Sequence, residues 1–190
     1  FSGHGWLLSS EVVVADGPQL FSGQVDDVGD AWQTVTLPHS YLDPVVIGLL
    51  ETGEGELPAV VRVRNAAGNQ FELRVQNPSG NPLPGGYRVH YVMVEAGVYT
   101  EAEHGIHMEA GRFLSTTTDG KTNGWVGEMA GYSNNYSQPV VLGQVMTDND
   151  PLWSAFWASG PRPVDPPDAS TLYLGKHVGE VAPLVAHLGE

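Results

Sequence analysis

PVVIGLLETGEGELPAVVRVRN, residues 44–65, set above PVVLGQVMTDNDPLWSAFWASG, residues 139–160, is the comparison on which the fold reading turns. The offset is 95 residues without a gap. Pro44/Pro139, Val45/Val140, Val46/Val141, Gly48/Gly143, Thr52/Thr147 and Leu57/Leu152 are identical, and Tyr41/Tyr136 match just upstream. A repeat changes every later assignment, because one supersecondary unit is then being read twice. Twice 95 is also the chain length of 190, so the end of the second copy maps back onto residue 1. Residues 1–25 then read as the tail of a unit whose head lies in a preceding repeat, completing a sandwich in cis or in trans. Residues 26–120 are the first unit and 121–190 the second, more divergent one. The competing reading makes the length a coincidence of where the chain is cut.

The strand signals share this phase. Val61 and Val63 alternate with Arg62 and Arg64, and Phe71, Leu73 and Val75 alternate with Glu72, Arg74 and Gln76, the period-two pattern of half-buried antiparallel strands. AAGNQ (66–70) is a short hairpin connection and NPSGNPLPGG (77–86) a longer loop. Tyr87–Glu95 is apolar on both faces, which predicts a central strand. In the second unit, Val140–Val145 and Leu152–Ala158 repeat the strand pair, and GPRPVDPPD (160–168) replaces the hairpin turn with a segment too rich in proline for a central strand. Thr171–Leu174 and Val181–His187 are the following strands, the latter equally readable as a helical turn. Asp119-Gly120 and Asn123-Gly124 are hairpin turn signals.

Composition agrees with an all-β fold of two antiparallel β-sandwich units. Of 190 residues, 24 are Gly and 14 are Pro, and only 16% are charged, a mixture that suits short strands joined by turns better than a helical bundle. Eight Lys+Arg against 22 Asp+Glu give a formal charge of −14, which disfavours nucleic acid and anionic membrane surfaces as partners. With no Cys, disulfides, thiolate zinc sites and cysteine nucleophiles are excluded. There is no apolar run of the roughly 18 to 20 residues that a spanning helix needs, and no basic segment leading into an apolar one at the N-terminus. These features describe a mature soluble chain or an excised fragment.

Trp32, PVVIGL (44–49), VVRVRNAAGNQFELRV (60–75) and YRVHYVMVEAG (87–97) together resemble the H-type lectin domain. The resemblance covers the first unit and recurs more faintly in the second. It implies a sandwich of six antiparallel strands, often assembled as trimers or hexamers, that binds N-acetylgalactosamine and related sugars. Carried over by position, Tyr87 matches the Tyr that opens the last strand, and Arg62 or Arg64 matches the sugar-contacting Arg. Where the family has an aromatic residue followed by His, this chain reads Gln76-Asn77-Pro78. The second unit's PVVLGQVMTDNDPLWSAFW and LYLGKHVGE look like segments repeated in large surface proteins of aquatic and marine bacteria, which implies adhesion or glycan binding and not catalysis.

Three constellations carry possible chemistry. TDNDPLW (147–153) sets Asp148, Asn149 and Asp150 on one turn, oxygen ligands of the kind Ca²⁺ takes, although without EF-hand spacing and in a string that is also ordinary turn chemistry. LWSAFW (152–157) places Trp153 and Trp157 on one face, for an interface between units or subunits, for stacking on a sugar, or for the core. Because Trp157 aligns with Arg62, which alternation points outward, the Trp face is expected outside the core. His104 and His107 sit in a segment read as strand and turn, where residues three apart face opposite ways and make no zinc site. No Gly-x-Ser-x-Gly elbow accompanies His39 and His90, and no glycine-rich phosphate loop leads into a helix.

The expected function is therefore a noncatalytic, extracellular carbohydrate-binding or adhesive module, secreted or on a cell surface. Its partners are a glycan or copies of itself, in a homo-oligomer or polymer. An alternative is a structural subunit of a filament or array, in which Val12, Val13 and Val14 of EVVVA (11–15) add to the sheet of an adjacent copy. A further alternative is an accessory domain of a polysaccharide-degrading enzyme.

Overall fold

A computed structural model describes residues 20–53, 57–83, 85–119 and 127–179. As expected, the fold is all-β: the described residues form eleven strands and a single four-residue helix. Val12, Val13, Val14, the Gly120 and Asn123-Gly124 turn residues and the segment Val181–His187 lie outside them.

Residues 20–95 form a closed sandwich. One sheet has the order β1 (Leu20–Val28), β5 (Tyr87–Glu95), β3 (Pro44–Glu51), all antiparallel, so the strand that is apolar on both faces is the central one. The other pairs β2 (Gln33–Tyr41) with β4 (Val60–Gln76). β4 is one continuous run of extended residues, yet Arg62 Nη1 donates to Gln76 Oε1 at 3.0 Å and Arg64 Nε to Glu72 Oε2 at 2.8 Å. Fourteen residues of straight strand would separate 62 from 76 by about 46 Å. The run therefore folds back on itself around Asn65 and Gly68, both at positive φ, placing the hairpin at the AAGNQ turn. Counting its two arms, each sheet has three antiparallel segments.

Between the sheets Val46, Val63, Phe71, Leu73, Val89 and Met93 are wholly buried, drawn from both layers. Tyr91 closes this core edge-on against Phe71, with ring centroids 5.0 Å apart. The first sandwich includes Leu20–Val25, upstream of the expected boundary at residue 26. Leu20 to Val25 pair in register with Val94 to Val89 of their own chain, because the alternating segment continues upstream of the expected boundary.

Beyond β5, a short hairpin of β6 (Gly97–Tyr99) and β7 (Met108–Ala110) flanks α1 (Glu101–His104). A helical turn stands where strand and turn were expected. Thr100 caps it by accepting from Glu103 N, and Gly105 at φ 68 ends it. The final sheet centres on β11 (Leu172–His177), with β10 (Ala155–Ser159) on one side and β9 (Glu128–Ala130) and the short parallel β8 (Thr118–Asp119) on the other. Val140–Val145, expected to be a strand, has no strand assignment. The described residues of the second unit thus form one sheet and a connection that bonds to the first half, where Val145 O accepts from Val63 N at 3.4 Å, not a second closed sandwich.

Two contacts recur, the first at the repeat spacing on both sides and the second with its β11 partners 101 residues beyond their β4 counterparts. A Cβ on Gly48 would meet Val61 Cγ1 at 2.6 Å, and one on Gly143 would collide with the Phe156 ring; each partner of the second pair lies 95 residues after its counterpart. Likewise Glu128, Met129 and Ala130 stand opposite Leu174, Tyr173 and Leu172, as Gln33, Thr34 and Val35 stand opposite Leu73, Glu72 and Phe71.

Candidate functional site

The residues singled out from sequence divide between the core of the sandwich and a joint that ties the second half to the first. Tyr87 is 3% exposed and part of the core, so its ring fills the sandwich. Arg62, expected to point outward, is 0% exposed. It does leave the sandwich core, but residues 147–152 lie across it. Its guanidinium donates to the carbonyls of Thr147 (3.0 Å), Asp150 (3.0 Å) and Leu152 (2.7 Å) as well as to Gln76. Alternation tells which face a side chain takes and not what covers that face. Arg64 and Arg74 stack on Trp32, 4.1 and 4.5 Å from the ring centroid, and both reach Asp148. The Arg64 guanidinium holds the Glu72 carboxyl below its ordinary range, with Asn65 adding a second donor.

The proposed calcium turn is occupied by these cations. Asp148 faces Arg64 and Arg74, while Asp150, 2% exposed, pairs with the equally buried Lys176 at 3.2 Å and accepts from Leu152 N. Two carboxylates already neutralised and aimed at different partners do not fit a hard cation. Among the described residues no group of three or more His, Asp or Glu could hold a metal ion. Trp153 and Trp157 are half-buried. Trp157 lies over Gly175, its register partner on β11, and Trp153 over Gly179, so both rings cover their own chain through the absence of a glycine side chain. His104 Nδ1 accepts from Thr100 N, apart from His107, which stacks on Tyr136 at 4.9 Å and 20°.

What the sequence reading missed is a trough of about 810 Å³. Its floor joins the outer face of β3 (Val45, Ile47) to β7, and its walls come from residues 130–147 and from Phe156, Leu172 and Leu174. The lining has a pattern. Ala130, Tyr132, Tyr136, Val141 and Phe156 are the residues 95 beyond Val35, Leu37, Tyr41, Val46 and Val61, and the strand registers match Leu172 and Leu174 to Phe71 and Leu73. All seven first-half residues are buried core. Of their counterparts only Leu172 is buried; the rest are half-buried and face the trough. In the first half β5 seals that space with Tyr87, Val89, Tyr91 and Met93. Among the described residues nothing takes the equivalent place.

The trough is apolar with few polar groups. Val140 and Leu142 on its rim are 87% and 70% exposed, far more than a finished core edge leaves. The Tyr132 hydroxyl is buried without a hydrogen-bond partner among the described residues, and burial pushes both the Tyr132 and Tyr136 phenols up. The signal for this site was present in the matches Tyr41/Tyr136 and Val46/Val141, both core positions of the first half. No helix among the described residues is long and apolar enough to cross a membrane. Comparison with family models, with curated proteins and with solved structures finds no match.

Proposed function

We propose that the chain is a noncatalytic adhesive and structural module of an extracellular assembly, built from one sandwich-forming unit used twice, and that its trough accepts an extended polypeptide strand. The observation carrying this reading is the trough lining: counterparts of a complete core, open among the described residues where the central strand of the first sandwich stands. A slot for a strand asks for apolar walls, backbone free to pair and a length of several residues, and strand addition to such edges is a general mode of recognition. The chemistry of the site is packing and main-chain hydrogen bonding, without an arranged nucleophile or acid–base pair.

Hydrogen exchange tests it. Amides of residues 139–147 are expected to gain protection only at concentrations where larger species form. Protection that is identical in the monomer and in concentrated solution removes the strand-accepting role.

A second reading, glycan binding of the H-type lectin kind, draws support from the two sheets of three antiparallel segments and from the exposed His107 ring stacked on Tyr136. Aromatic faces of that kind pack on the apolar side of sugar rings. A glycan array on which His107→Ala and the unchanged protein give the same empty pattern discards it.

A further inference from the structure

We infer that Lys176 and Asp150 condense into an intramolecular amide, a covalent tie between β11 and the turn at residues 147–152. Both side chains are buried, 3% and 2% exposed, with Nζ 3.2 Å from Oδ2. Lysine is almost never fully buried without a partner, and a buried ion pair is seldom more stabilising than apolar residues of its size. The first half offers the comparison directly. The register that matches Leu172 and Leu174 to Phe71 and Leu73 matches Lys176 to Val75, a wholly buried core residue. A lysine stands where the first unit uses valine, and alternation along β11 sends it to the same face as Leu172 and Leu174. Two charges buried at such a position call for a gain other than packing. Condensation gives one, because it removes both charges.

The geometry around Asp150 divides its two carboxylate oxygens by task. Oδ1 accepts from Leu152 N at 3.1 Å, and Oδ2 faces the Lys176 ammonium. The main-chain carbonyl of Asp150 accepts from Arg62 Nη2 at 3.0 Å, so backbone and side chain are both held. A carboxyl fixed in contact with an amine turns an encounter between two groups into a unimolecular step. Proton transfer from Nζ to Oδ2 across the contact gives a neutral amine, the nucleophile, and a neutral acid, its electrophile. The nitrogen lone pair adds to Cγ, and the charge that develops on Oδ1 meets the Leu152 N–H, a donor of the oxyanion-hole kind. The bond from Cγ to Oδ2 then breaks as a second proton passes from nitrogen to Oδ2, and water leaves. Of the three ammonium protons, one stays on the amide nitrogen and two depart in the water, so no oxidant, metal or co-reactant enters. The step occurs once per molecule without turnover, and it stands beside the noncatalytic reading above. In a chain without Cys it provides a covalent closure that disulfides cannot, around a loop that contains β10.

The experiment holds the folded full chain at neutral pH until its mass no longer changes, then denatures it for high-resolution mass spectrometry and tryptic digestion. The expected mass is that of the sequence less one water. Trypsin should fail to cut after Lys176, and a branched peptide should appear whose fragments place the link between residues 150 and 176. Lys176→Met keeps the position apolar and removes the nucleophile, so this variant is expected to show the full sequence mass. The unchanged chain decides the matter even where the variant does not fold. A folded chain of full sequence mass that trypsin cuts after Lys176 overturns the amide. A missing water found within a linear peptide, as a cyclised Asp119-Gly120 would give, overturns it as well, and so does the same loss of water in Lys176→Met.

Discussion

The closed sandwich of residues 20–95 and the open sheet of residues 127–179 share several residues in corresponding contacts, and among the described residues they differ in one strand. In the first, β5 lies between β1 and β3 and the core residues are wholly buried; in the second, their counterparts line a trough. The lesson is that a sandwich core is made by its central strand as much as by the sheets it joins. Where no such strand stands among the described residues, the matching side chains line a trough.

Substitutions at paired positions test how deep the difference goes. Leu73→Ala removes a wholly buried side chain from the closed core, and a loss of about 3 kcal/mol in denaturant unfolding is expected. Its counterpart Leu174→Ala, in a wall that already faces the trough, should cost the monomer about 1 kcal/mol or less. Equal losses at the two sites would mean that the second core is as closed as the first.

Next in size is the joint between the halves. Arg62→Ala strips the donors from three carbonyls of residues 147–152 and is expected to cost about 2 to 3 kcal/mol, with Arg62→Lys failing to restore it because one ammonium cannot serve that spread of acceptors. Proteolysis should then cut residues 147–152 first; a variant as resistant as the parent contradicts the joint. Gly48→Ala forces a methyl against Val61, whose branched side chain has few rotamers, and about 1 to 2 kcal/mol is expected. Gly143→Ala should cost less, since the Phe156 ring borders open space into which it can turn.

Smallest is the acid response of Glu72. Its folded pKa lies below 4.5, chiefly through Arg64, so its contribution is complete above the unfolded value and is lost as pH falls through the folded one. The loss is expected to be no more than about 1 kcal/mol, because the pair is partly solvated. Comparing the acid limb of stability for the parent and Glu72→Gln checks it: the variant's limb should be flatter below pH 4.5, and identical limbs would rule the contribution out.

Much of the first half was legible in sequence. Period-two alternation located the strands from Val61 to Val75, two apolar faces put Tyr87–Glu95 in the centre, and turn chemistry placed the hairpin near Gly68. The sites were not legible in the same way. The alternation that sent Arg62 outward carried no information about residues 147–152, some 85 positions along the chain, that cover it. Asp148 and Asp150 had the composition of a cation turn, but the cations they meet are Arg64, Arg74 and Lys176, brought from two different sheets. Val140–Val145 read as a strand from its residues alone, whereas a strand needs a regular ladder, and this segment shares one main-chain bond with Val63 and side-chain bonds from Gln144.

The join between the two halves has a bearing on ionic strength. Arg88–Asp26 and Arg162–Asp165 lie at the surface, where added salt shortens the range of their attraction. Arg62, by contrast, is wholly removed from solvent where it holds the carbonyls of Thr147, Asp150 and Leu152 across the join, and salt screens buried charge much less. Brine therefore weakens the outer charge pairs and leaves the Arg62 link between the halves in place, so the join tolerates salinities that rearrange the surface.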